Sequence, residues 1–168
     1  MSEKAHRESK QPRTILAGPY GHPVHSILVT IPIGGWIASF VFDLISLFAD
    51  DPEPFVQGAR VLIVIGLIGA VLAAVAGLLD FSRLTPGTHV RRVALTHMVL
   101  NVTAMVLFIV GFVLRSQTDD VSVPGIVLSA IALVGLSLSG FLGGELAYRY
   151  GVRVADEDTQ RAGFEKVR

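Results

Sequence analysis

His25 and His97 stand at matching places in the sequence, each at the start of a long apolar stretch. His25 is followed by Leu28 and Thr30, and His97 by Leu100, Asn101 and Thr103. Neutral imidazoles from two helices at similar depth are what six-coordinate b-type haem needs, so His25 and His97 are candidate iron ligands of a haem b. The same pair could instead line a quinone pocket. Asn101 stands one turn beyond His97 on the same helix face, and the two serve equally well as hydrogen-bonding glue between helices. His22 and His25, spaced i,i+3, could share a face toward a metal, although no third ligand follows at matched spacing. Below His25 on its face come Pro32, Trp36, Ser39 and Asp43. Pro32 leaves the Leu28 carbonyl without its helical partner and should kink or loosen the helix. A loosened helix lined by Trp36 could admit a flat ligand, or it could simply pack.

The elements that carry these residues read as an all-α membrane bundle. The chain has 168 residues, 51% hydrophobic and only 17% charged, with a mean hydropathy of +0.59. Soluble domains carry about 25% charged residues. Stretches 61–79, 93–114 and 121–144 hold no charge, and 27–48 holds only Asp43. Each approaches the ~20 residues that cross a ~30 Å hydrocarbon layer. The first apolar run is too long for a signal peptide and is expected to remain as the first helix. Short connections predict an up-down-up-down four-helix bundle, divided into a polar arm (1–20), a transmembrane domain (21–151) and a polar, solvated tail (152–168). Of fourteen Lys and Arg residues, all but Arg60 and Arg115 fall on the arm, the loop after the second helix or the tail. By the positive-inside rule both termini are cytoplasmic. The tail's share includes Lys166 and Arg168.

The sequence also repeats itself. Gly69, Ala73 and Gly77 in the second helix have the spacing of Gly135, Ser139 and Gly143 in the fourth. With His25 and His97, this predicts two pseudo-symmetric helical hairpins about an axis along the membrane normal. The small-residue stripes let backbones approach closely or make space for a porphyrin. Asp80 with Arg83 and Glu145 with Arg149, at i,i+3 and i,i+4, read as interfacial ion pairs, or one carboxylate could take protons in quinone chemistry. Asp43 reads as a helix-end residue that reaches the interface. Tyr148, Arg149 and Tyr150 fit an interfacial belt. Nearly all these candidates, His89 included, gather in the cytoplasmic half.

The zero net charge gives no reason to expect nucleic acid as a partner, and the absence of cysteine excludes disulfides, c-type haem attachment and a thiolate-held iron–sulfur cluster within the chain. No serine is plausibly paired with a base and no zinc-binding motif is present, so hydrolysis is disfavoured.

Taken together, His22-Pro23-Val24-His25, then Pro32, Gly34 and Asp43, then Asp80, Pro86, Gly87, Arg91, Arg92, His97 and Asn101 resemble a bacterial membrane-protein family, domain of unknown function 2231. Gly140, Gly143, Gly144, Glu145, Tyr148, Arg149 and Gly151 resemble its characteristic end, and the likeness covers about 21–154. Tyr150 stands where the family usually has His. The resemblance implies a multi-pass protein of the bacterial inner membrane, and no established activity. Some relatives appear joined to a Rieske-type domain, which implies redox work near the quinone pool. This chain would then need haem or a separate iron–sulfur or dehydrogenase subunit. The functional readings are a redox-associated membrane anchor, a non-enzymatic structural or accessory protein in the lipid bilayer, and a small transporter, which would need a homo-oligomer to enclose a path.

Overall fold

A computed structural model describes residues 2–164; Lys166 and Arg168 lie outside the described residues. Helix α1 (Ser2–Lys10) and a 3-10 turn (Pro19–Gly21) precede α2 (Val24–Leu28) and α3 (Thr30–Ser46). The long helices α4 (Glu53–Phe81), α5 (His89–Arg115) and α6 (Val123–Tyr148) follow, with a short α7 (Glu157–Ala162) near the end. No strand occurs among the described residues. Four elements are long and apolar enough to cross a membrane: the continuous run Val24–Ser46, then α4, α5 and α6.

Pro32 acts where expected. The first span breaks at Val29, which separates α2 from α3, and Pro32 sits in the first turn of α3, where a missing N–H costs little. Val29 itself still accepts from the Ile33 amide at 3.2 Å.

Spacing makes these helices a bundle. Buried residues on α3 are Pro32, Trp36, Ser39, Asp43 and Ser46. Those on α5 include Ala104, Phe108, Gly111 and Arg115. Steps of four and three average 3.5 residues, the period of a continuous seam between helices crossing at a shallow angle. The seam is mostly small or polar, while Ile37, Val41, Val99 and Val102 are half exposed on the outside. That distribution inverts a water-soluble bundle and suits lipid, where close van der Waals packing rather than hydrophobicity joins helices.

Glycines set the approach within each hairpin. Along α4, a Cβ on Gly58 would meet Phe42, one on Gly66 would meet Trp36, one on Gly69 would meet Ile31, and one on Gly77 would meet His25. Residue numbers fall on α3 as they rise on α4, so the two run antiparallel. In the second hairpin Gly125 receives Arg115 and Gly143 receives His97, again antiparallel. The starts of α2 and α5 and the ends of α4 and α6 therefore share one end of the bundle, here termed the terminal end. Residues 47–52 and 116–122 make the loop end.

The hairpins meet through a row of paired residues. His25 lies against His97 with ring centroids 6.2 Å apart, and Trp36 stacks on Phe108 at 4.3 Å. Asp43 pairs with Arg115. The members of each pair are 72 positions apart in the sequence. A residue touches its own counterpart only where a two-fold axis runs between them. The internal repeat is thus a pseudo-two-fold bundle whose axis threads three self-paired positions on α2–α3 and α5.

Candidate functional site

The polar core begins at the terminal end with the two histidines. His25 Nδ1 lies 2.8 Å from the Ala73 carbonyl, and His97 Nδ1 lies 2.8 Å from the Ser139 carbonyl. Ala73 and Ser139 are the repeat-related positions of α4 and α6. A carbonyl only accepts, so in both rings Nδ1 carries the proton and Nε2 keeps a lone pair. Asn101 satisfies that lone pair in His97: its amide nitrogen stands 3.1 Å from Nε2, 2.8 Å from the His97 carbonyl and 2.8 Å from Ser139 Oγ. His97 begins eight residues into α5, about 12 Å from its start at 1.5 Å per residue.

Beneath the histidines, Trp36 and Phe108 are 2% and 0% exposed. Their rings stack at 14°, an arrangement worth about 0.5–1.5 kcal/mol beyond area burial. The space that a flat ligand could have taken beside Trp36 is filled by Phe108. The Trp36 Nε1–H points at the Ile63 carbonyl at 3.4 Å.

Toward the loop end lies a buried ion pair. Asp43 is not an end residue at the interface; it is 3% exposed, and Arg115, counted above as a loop-side charge, is 1% exposed. Arg115 donates through both Nε, at 3.2 Å, and Nη2 to the Asp43 carboxylate, and Nη2 also reaches Ser129 Oγ at 2.9 Å. An isolated charge here would be very costly, so each requires the other. The signal was available: the 72-residue offset that relates the histidines also relates Asp43 to Arg115.

Other expectations change for similar reasons. Asp80 does not pair with Arg83. It lies 3.0 Å from Arg153 Nε, and Arg83 donates instead to the Pro12 carbonyl at 3.2 Å. An exposed pair on one helix contributes only tenths of a kcal/mol, whereas a buried carboxylate needs a buried partner. Glu145 and Arg149 do pair, at 2.8 Å. The tail after Gly151 is not simply solvated: Arg153 is 8% exposed and tied to the arm. His22 precedes α2, with extended backbone, so it shares no helix face with His25. It is exposed and lines a polar cleft of about 360 Å³ with Lys10, Arg153, Asp156 and Thr159. Among the described residues no group of three or more His, Cys, Asp or Glu side chains could hold a metal. Of the six small-residue stripe positions, Gly135 alone meets no neighbour; Gly69, Gly77 and Gly143 each receive a side chain, and Ala73 and Ser139 supply the histidine carbonyls.

These features define a polytopic membrane protein of four helices with a two-fold polar core. The chain belongs to the DUF2231 family of predicted membrane proteins, whose family model matches residues 21–156. No curated protein and no solved structure shows a significant match.

Proposed function

We propose that this protein is a non-enzymatic accessory protein of the inner membrane, a closed four-helix platform with its terminal end in the cytoplasm. One observation carries the reading: Asp43 pairs with Arg115 and His25 packs on His97 across the pseudo-two-fold axis, the other core polar groups bond within each hairpin, and the Trp36–Phe108 stack closes the middle. Polar side chains inside a membrane are functional candidates by default, but a network bonded largely within itself, with Arg115 Nη1 a buried donor left over, also works as helix-joining glue. Charge supports the orientation. Arg115 is buried, and the half-buried Arg60 donates to the carbonyls of Arg115 and Thr118 and to Asp119 at 3.2 Å. Both basic residues of the loop end are therefore spent internally, which sharpens the positive-inside asymmetry. The test is His97→Ala in the purified chain. Loss of the Ser139 and Asn101 contacts should cost about 2–3 kcal/mol of stability, with no bound small molecule lost. A His97→Ala protein of unchanged stability that releases a bound molecule would overturn the reading.

A second reading, haem b held by His25 and His97 in a redox-associated anchor, has its own support. Both rings give Nδ1–H to a backbone carbonyl, the second-shell arrangement that orients an imidazole for iron, and the rings belong to facing helices at one depth. A porphyrin would require Asn101 to leave His97 Nε2 and the two hairpins to part. A low-spin bis-imidazole signal in electron paramagnetic resonance, lost in His25→Ala and in His97→Ala, would establish it; its absence from haem-replete protein removes it. A dehydrogenase or iron–sulfur subunit as partner belongs to this reading alone.

A further inference from the structure

We propose that Arg153 is a latch that straps the N-terminal arm and the C-terminal tail together over the terminal mouth of the bundle, closing water's access to Asp80 and His25. This goes beyond either functional reading and holds under both.

The guanidinium gathers acceptors from three separate segments. Nη1 donates to the Lys10 carbonyl at 3.2 Å, and Nη2 to the carbonyls of Ala17 and His22, both at 3.1 Å. Nε faces Asp80 Oδ1 at 3.0 Å. Lys10 ends α1, Ala17 and His22 belong to the connector into α2, and Asp80 lies in the last turn of α4. One side chain therefore joins the arm, the connector into α2, the end of α4 and the tail. Planar, multidonor geometry suits Arg to this role and excludes Lys, which could not serve four directed acceptors from one ammonium.

The backbone is arranged for the same purpose. Arg153 has φ 59°, the one non-glycine residue with positive φ among the described residues, and Gly151 has φ 65°. Left-handed backbone is disfavoured for a residue with a Cβ and persists only where the surroundings enforce it. Two such residues around Val152 turn the chain back, so that the Arg153 amide bonds the Ser9 carbonyl at 3.1 Å. Gly18 completes the fit, since a Cβ there would run into the Arg153 guanidinium. The Nε–Asp80 contact is a buried ion pair without hydrogen-bond alignment, so charge rather than a directed bond ties the latch to the bundle end.

Behind the latch lie Asp80 and then the histidine pair. The His25 ring packs on Gly77, one turn from Asp80 along α4, and His25 touches His97. In front of it the polar cleft lined by Lys10, His22 and Arg153 opens outward. The guanidinium stands on Asp80 at the inner side of this cleft; with it withdrawn, Asp80 and the half-buried His25 behind it would face water.

The chain contains no cysteine, so a single introduced thiol reports access cleanly. His25→Cys in the full-length protein in detergent micelles is treated with a charged methanethiosulfonate, with Ser82→Cys as an exposed reference. Adding Arg153→Ala is expected to speed labelling of the His25→Cys thiol at least tenfold while leaving the Ser82→Cys rate unchanged. Equal rates at position 25 with and without Arg153 would overturn the latch. If Arg153→Ala fails to fold, Gly18→Val displaces the arm while every charge is kept. It too must accelerate labelling at position 25, and an unchanged rate overturns the proposal.

Discussion

The buried Asp43–Arg115 pair sits on the pseudo-two-fold axis, so its members should be exchangeable. Removing one partner, by Asp43→Asn or Arg115→Met, leaves an uncompensated charge and should cost about 3–5 kcal/mol. Exchanging them, Asp43→Arg with Arg115→Asp, rebuilds the pair in mirror order. What the exchange loses can be read from the surroundings. Arg115 also bonds Ser129 Oγ at 2.9 Å, and the position related to Ser129 by the 66-residue offset between α4 and α6 is Ile63, which offers no hydroxyl. A hydrogen bond to a charged group contributes about 1.5–3 kcal/mol. Gly125, which makes room for the guanidinium, is matched by Ala59, which adds a modest packing penalty. The exchange should therefore cost about 2–3 kcal/mol, less than either single change. Unfolding in mixed micelles by a denaturing detergent gives all four midpoints. An exchanged protein no more stable than the worse single variant would refute both the pairing and the axis.

Matched glycine substitutions separate packing from propensity. Gly77→Ala places a Cβ 2.9 Å from His25 Nδ1 and should destabilise by about 1–2 kcal/mol, whereas Gly140→Ala and Gly144→Ala meet nothing within 4 Å and should gain up to about 1 kcal/mol of helix propensity; the same micelle titration decides. Trp36→Ala should cost about 3–5 kcal/mol and quench the near-ultraviolet circular dichroism of the stacked pair. Asp156 caps α7, and the Thr159 amide holds its carboxyl below the usual range. A depressed pKa stabilises at pH above the unfolded value and loses that contribution as pH falls through the folded one. The Thr159 amide resonance should therefore report fraying of α7 only below about pH 4, and in Asp156→Ala at every pH.

Much of this arrangement was legible in the sequence, and the boundary is physical. Apolar runs of spanning length impose helices in lipid whatever their neighbours do, so the four spans were readable. So was the His25–Trp36–Asp43 face, because helical spacing fixes which residues share a side. The small-residue stripes and the two histidines disclosed the repeat. The repeat reaches further: eleven and eighteen residues on from the histidines, it pairs Trp36 with Phe108 and Asp43 with Arg115. Charges mislead when they are assigned by nearness in sequence. Arg83 lies three residues from Asp80, but the partner of Asp80 is Arg153, 73 residues later, because burial rather than adjacency sets the strength of an ion pair. The docking of the tail was not legible at all. It depends on a left-handed arginine backbone, a conformation with no compositional signature.

The polar core is proposed to hold the helices together rather than to bind a cofactor. The most direct measurement is the absorption spectrum of the full-length chain purified from haem-replete cells, with His25→Ala and His97→Ala alongside. A core that only joins helices gives no Soret band in any of the three. A Soret band at one haem per chain, abolished by either substitution, would contradict that role.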